Sequence, residues 1–128
     1  MEVLLVDDQP VNAQIYAAAV RRTFGGARVH TAMDLSEALQ IAAGRKLDLT
    51  LLDLGLPACT GIEALERFRG AFPEVPVLVV SAQEDPAQVQ RCYDAGAAGY
   101  VSKALAVVAL PEAMKAAVAS SSAPDARR

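Results

Sequence analysis

Short apolar runs alternate with longer stretches whose apolar residues recur at helical spacing. The runs are Val3 to Val6, Arg28 to Thr31, Leu49 to Leu52, Val77 to Val80 and Gly99 to Ser102. Most are continuously apolar and do not alternate with polar residues, as strands covered on both faces require. The second, ARVHT, is the least apolar and suits an edge. The stretches between them carry helix punctuation. Asp34 followed by Glu37 forms a capping box, and Gly44 stops that helix. Thr60 and Glu63 repeat the box ahead of a stripe of Ile62, Leu65 and Phe68. Asp85 before Pro86 is an N-cap with proline at the first helical position, and Gly96 ends that segment. A first helix is expected from about Pro10 to Thr23, with Ile15, Ala19 and Phe24 among the candidates for its inner face. Alternating βα units of this size imply an α/β fold: a parallel sheet with right-handed crossovers and helices on both faces. The stretch from Ala119 to Arg128, rich in Ser and Ala, reads as a linker or frayed terminus.

Composition narrows the class. A chain of 128 residues is one domain by size, and it can bury roughly two-thirds of the surface its unfolded form exposes. With 53% hydrophobic and 21% charged residues it is ordinary globular material. A net charge of -3 without any basic cluster argues against a nucleic-acid surface, and Arg127 and Arg128 only close the tail. Cys59 and Cys92 fit no metal spacing and read as free thiols of a reducing compartment. Met1 and Glu2 run directly into a core strand, which leaves no room for a leader peptide. No apolar stretch approaches the roughly 20 residues that span a bilayer. A soluble, cytoplasmic protein without a membrane partner is expected.

The chemistry sits where the runs end. LLVDD ends on Asp7 and Asp8, LTLLD on Asp53, VLVVS on Ser81 and GYVSK on Lys103. In a parallel sheet the carboxyl ends of all strands share one edge, where ligands bind. Three carboxylates, a hydroxyl and an ammonium would converge there, with an excess of negative charge that calls for a metal ion. Mg²⁺ prefers one or two carboxylates with waters and phosphate oxygens. Asp8 and Asp53 suit direct ligation, Asp7 acts directly or through water, and the Gly55 carbonyl could add an oxygen. Asp53 is then the nucleophile for a phosphoryl group, Lys103 pairs with a phosphoryl oxygen and Ser81 donates to another. Singly these residues read more plainly. An Asp-Asp pair after a strand is usually a cap or turn, Ser81 a helix-start residue and Lys103 a surface charge. Tyr100 serves equally as a core aromatic. Pro57 and Gly61 serve the turn in any case, His30 belongs to a surface or edge strand, Cys59 is a bystander, and Met33 and Met114 are filler.

The acidic pair in VDD, the block DLGLPACTG, the hydroxyl of VVSA and the segment AGAAGYVSK together resemble the receiver domain of two-component response regulators, the CheY-like family. The resemblance covers roughly residues 2 to 119. It implies a flavodoxin-like doubly wound fold with five parallel strands in the order 2-1-3-4-5, a receiver domain over residues 1–119 and a flexible tail over 120–128. It implies Asp53 as phosphoacceptor, Asp7 and Asp8 holding Mg²⁺, Ser81 and Tyr100 as a switch pair, and Lys103 as the phosphate partner. The donor would be a sensor histidine kinase or phosphotransfer protein. The chain would be a switch and not an enzyme, one that assists its own phosphorylation and dephosphorylation. It would work through a protein-interaction face, with a homodimer as one outcome, and any DNA-binding output would lie beyond Arg128. AGAAGYVSK looks more like the transcriptional branch of the family than the chemotaxis branch. Two positions depart from the pattern. Ala104 stands where many receivers have proline, which opens the loop to a trans peptide and a different aim for Lys103. Pro111 falls in the second turn of the last helix, so that helix either starts near Leu110, leaving LAVVA irregular, or is kinked. These departures keep open a receiver-like module that signals without phosphorylation. A haloacid-dehalogenase-like hydrolase would need an aspartate where Gly55 stands, and a flavin-binding protein would need a phosphate-cradling loop where VDDQP stands.

Overall fold

In the computed structural model residues 1–55, 61–82 and 85–121 are described. Strands β1 (Glu2–Val6), β2 (Arg28–Ala32), β3 (Leu49–Asp53), β4 (Val77–Ser81) and β5 (Gly99–Ser102) alternate with helices α1 (Pro10–Thr23), α2 (Leu35–Ala43), α3 (Gly61–Ala71), α4 (Pro86–Asp94) and α5 (Ala106–Ser121). A short 3₁₀ turn, Lys103–Leu105, links β5 to α5. The strands form one sheet in the order β2-β1-β3-β4-β5, every pair parallel. This is the CheY-like flavodoxin fold. The edge position expected for ARVHT holds: β2 is the outer strand on that side and the most exposed of the five.

Strand pleating divides the core in two. Leu4, Val6, Leu52, Val77 and Val79 point to the face covered by Ala38, Leu65, Phe68 and Cys92 of α2, α3 and α4. Val3, Leu5, Leu51, Leu78 and Val80 point to the other face, under Val20 of α1 and Leu110, Met114 and Ala117 of α5. A central strand meets a helix layer on either side, which explains the unbroken apolar runs in β1, β3 and β4.

The helix boundaries follow their caps. Asp34 Oδ1 accepts the Glu37 N–H at 2.8 Å, and Glu37 Oε1 accepts the Met33 N–H at 2.7 Å. Asp85 caps α4 through the Ala87 N–H, and Gly96, with φ 102°, takes the left-handed conformation that ends it. Thr60, Pro57 and Cys59 lie outside the described residues, so the expectations placed on them stand apart from the structure.

Several expectations need correction. Ile15 is 45% exposed, whereas Tyr16, Ala17, Ala19 and Val20 face inward. The helix is rich in alanine, which packs equally well at several phases, so periodicity alone turned Ile15 inward, whereas Ala19 is buried and Phe24 packs against the core as expected. Met33 is exposed, although Met114 does fill the core beneath α5. The last helix does not begin near Leu110: α5 starts at Ala106 and runs through Pro111 to Ser121. Its buried row of Ala106, Leu110, Met114 and Ala117 anchors it on both sides of the proline. Residues 120–121, assigned to the tail from sequence, continue this helix.

Candidate functional site

Sheet register assembles the site. Val6 pairs with Leu52, Asp53 with Val80 and Ser81 with Ser102. Asp7, Asp53, Ser81 and Lys103 therefore arrive side by side at the carboxyl edge, though far apart in the chain. Each is the polar end of an apolar run. The edge opens into a cleft of about 280 Å³ lined by Asp53, Gly55, Ile62, Ser81, Gln88 and Lys103, among others. Gly61 closes one side, and there a Cβ would come within 2.7 Å of Leu54 Cβ and 3.0 Å of the Leu54 carbonyl oxygen. Only glycine lets α3 begin so close to the end of β3.

Asp53 is 4% exposed and well held. Its Oδ1 accepts the Gly55 N–H at 2.9 Å, and its Oδ2 accepts from Lys103 Nζ at 3.1 Å. Burial acts to lower the Lys103 pKa, but the hydrogen bond and charge of Asp53, aided by the charge of Asp7, outweigh it and hold the ammonium above its usual range. Asp7 is nearly as buried, and its Oδ1 accepts the Gln9 N–H at 2.9 Å. Its Oδ2 is buried without a hydrogen-bond partner among the described residues. Burial pushes the Asp7 carboxyl up, and the Gln9 N–H only partly offsets this while the charge of Asp53 adds to it. Asp8 is half-buried beside them.

Carboxylate oxygens of Asp7, Asp8 and Asp53 lie within 4.8 Å of one another. Clustered carboxylates are a hard-oxygen donor set, and an unpaired buried carboxylate oxygen is a group that a divalent cation would satisfy. The residues present fit Mg²⁺ on both counts.

Ala104 does not keep Lys103 from the site. No cis peptide occurs among the described residues, and Lys103 still reaches Asp53. The Ala104 N–H, which a proline would lack, donates to Ser102 Oγ at 3.3 Å and starts the 3₁₀ turn. Ser81 is buried at the cleft, whereas Tyr100 lies half-buried against the core under α2, α3 and α4. Sequence reasoning brought together all five polar residues at the strand ends. It missed Tyr16, a buried residue of α1 within electrostatic range of Lys103, Asp7 and Asp53. It also missed Ile62 and Gln88 as cleft walls. Tyr16 could have been found from the phase of α1, had an alanine-rich helix revealed it.

Comparison with known proteins agrees with this geometry. The model of the response regulator receiver domain matches residues 3–115. The transcriptional regulatory protein KdpE of Mycobacterium tuberculosis is 37% identical over 116 residues, covering 91% of this chain and 50% of the relative. The chain thus spans about half the length of curated bacterial relatives of this kind. A two-component response regulator of the LuxR family from Aurantimonas is 30% identical with a TM-score of 0.85, covering 93% of this chain and 85% of that one. A response regulator from Burkholderia pseudomallei, solved with a phosphorylated aspartic acid, a calcium ion and citrate, is 26% identical with a TM-score of 0.77, covering 98% and 71%. On sequence, fold and the arrangement of its acidic edge, this chain belongs to the response regulator receiver domains of two-component systems.

Proposed function

We propose that this receiver accepts a phosphoryl group on Asp53 from a phosphohistidine of a sensor histidine kinase or phosphotransfer protein. The observation that carries this reading is a buried Asp53 carboxylate, grouped with Asp7 and Asp8, paired to Lys103 and open to a cleft. The Burkholderia relative, with its phosphorylated aspartate and calcium ion, supports the same chemistry here. The carboxylates of Asp7, Asp8 and Asp53 and the carbonyl of Gly55 would hold Mg²⁺. When bound, the cation would neutralise the repulsion between the carboxylates and the incoming phosphoryl oxygens.

An Asp53 oxygen attacks phosphorus in line with the donor imidazole. The P–O bond forms as the P–N bond breaks, and the electron pair leaves on the imidazole nitrogen. The Gly55 N–H keeps the other side of the carboxylate oriented. Lys103 passes from Asp53 Oδ2 to a phosphoryl oxygen, and Ser81 donates to another. Positioning and charge neutralisation of this kind supply most of the catalysis in phosphoryl transfer. Val11 and Ile15 of α1, with Leu105, Val107 and Val108 where α5 begins, are exposed apolar side chains. Both helices start at the carboxyl edge, so these residues border the site and suit docking of the donor protein.

The modified Asp53 gains roughly -1.5 to -2 charges and three acceptor oxygens. Ser81 moving toward them and Tyr100 turning further inward would repack the face of α4, β5 and α5. That face then gains or loses a protein partner, a second copy of the chain being one. The modified form selects one of two arrangements, so the response is a population shift. With a net charge of -3 the domain itself would not hold nucleic acid. The likeness to transcriptional regulators supports a transcriptional output through another part of the protein, in the cytoplasm. The receiver would extend through α5 to Ser121.

Acetyl phosphate tests the reading directly. Labelling should need Mg²⁺ and should vanish in Asp53→Asn, and equal label in both chains would overturn it. Beryllofluoride binding should show the same need for Mg²⁺.

A further inference from the structure

Arg69 stands in the last turn of α3 and reaches beyond it. Its Nη1 donates to the Pro73 carbonyl at 2.6 Å and to the Val75 carbonyl at 3.4 Å, on the loop that leads into β4. The same guanidinium lies against Gly96, in the turn from α4 to β5, where a Cβ would come within 2.8 Å of Nε and 3.4 Å of Nη2. One planar group therefore joins two loops that belong to different helices. The two ends of α4 are held unequally. At its carboxyl end Cys92 is buried, the Gly96 N–H donates to the Tyr93 carbonyl and the Ala97 N–H to the Cys92 carbonyl, both at 3.0 Å. The Ala98 N–H then donates to the Val77 carbonyl of β4 at 2.8 Å. At the amino end Asp85, Pro86 and Ala87 are exposed, and half-buried Gln88 lines the cleft with Asp53 and Lys103. The helix is fastened at one end, and its loose end borders the site.

We infer that Arg69 is a clamp that pins the carboxyl end of α4 to the loop before β4, so that the helix moves by pivoting at Gly96. Its amino end, with Gln88 in the cleft wall, is the part that swings. Glycine serves the clamp twice, since it takes φ 102° without strain and lets the guanidinium lie on the turn. That the swinging end answers to the state of Asp53 rests on the proposed function above, whereas the clamp and the pivot do not.

Arg69→Ala removes the clamp, and Gly96→Ala pushes the guanidinium aside while adding backbone strain. Both release the same contact, so the double variant should cost less than the sum of the two. Urea unfolding in EDTA should show this as a coupling of about fivefold in the unfolding constant. Additivity overturns the inference. Arg69→Lys keeps a charge at the end of α3 but lacks the planar group that spans Gly96 and both carbonyls, so it should behave like Arg69→Ala. A lysine variant as stable as the native chain would reduce Arg69 to a helix-end charge and also overturns it. Amide exchange in EDTA locates the pivot. In the native chain Val89 and Gln90 should exchange at least about tenfold faster than Gly96 to Ala98, and Arg69→Lys should narrow that gap. Equal exchange along native α4 rules the pivot out. With Mg²⁺ and beryllofluoride the change in protection within α4 should be greatest at its amino end, and an equal change at the Gly96 turn counts against the pivot. A native chain that ignores beryllofluoride would remove the functional reading and leave the clamp to the cation-free measurements.

Discussion

The Asp7 carboxylate is 5% exposed, with Oδ1 held by the Gln9 N–H and Oδ2 lacking a partner among the described residues. Burial raises its pKa in the folded chain. The folded state therefore binds a proton more readily than the unfolded state, and stability falls as pH rises between the ordinary aspartate range and the raised folded value. Above that interval the penalty is fully present. Asp7→Asn should then stabilise the cation-free domain by about 1 kcal/mol at neutral pH. The gain should fade as pH drops toward the ordinary aspartate range, which urea unfolding at a series of pH values would reveal. Folding and chemistry thus favour different residues at position 7, as expected where a site keeps strain for function. Asp7, Asp53, Ser81 and Lys103 were legible in the sequence for a simple reason: each ends an apolar run, and parallel strands bring such ends to one edge. The burial of Tyr16 was not, because its alanine-rich helix gave no clear phase.

Among the elements, those with local causes were the easiest to read. The caps at Asp34 and Asp85 act on backbone groups two or three residues away, so sequence alone located α2 and α4. The start of α5 depends on distant contacts. Pro111 has no N–H to donate to the Val107 carbonyl, a loss of about 3 kcal/mol in an ordinary helix interior. The helix nevertheless continues, because Ala106 and Leu110 before the proline are as buried as Met114 and Ala117 after it. Tertiary burial outweighs the local defect, and local propensity could not reveal that. Pro111→Ala should restore the hydrogen bond and raise stability by about 1–3 kcal/mol. Thermal unfolding of the two chains provides the comparison. An unchanged midpoint would mean that the proline ring contributes packing worth as much as the bond it removes.

Across the molecule, anchoring is uneven, and this bears on how a change at Asp53 could spread. The central strands β1, β3 and β4 are buried almost throughout, between two helix layers. By contrast α4 buries only Cys92, and β5 buries only Val101. Segments with few buried apolar contacts open at lower free energy than the core, so a rearrangement begun at Ser81 meets least resistance toward α4 and β5. Amide exchange should show it. In the cation-free chain α4 should exchange at least about tenfold faster than β3. Mg²⁺ with beryllofluoride should change protection in α4 and β5 while leaving the amino halves of β1 and β3 as they were. Equal added protection over every helix would instead mean that binding stabilises the domain as a whole, with no selection between two arrangements of one face. The switch requires the uneven result, since a ligand that favours both arrangements equally shifts neither.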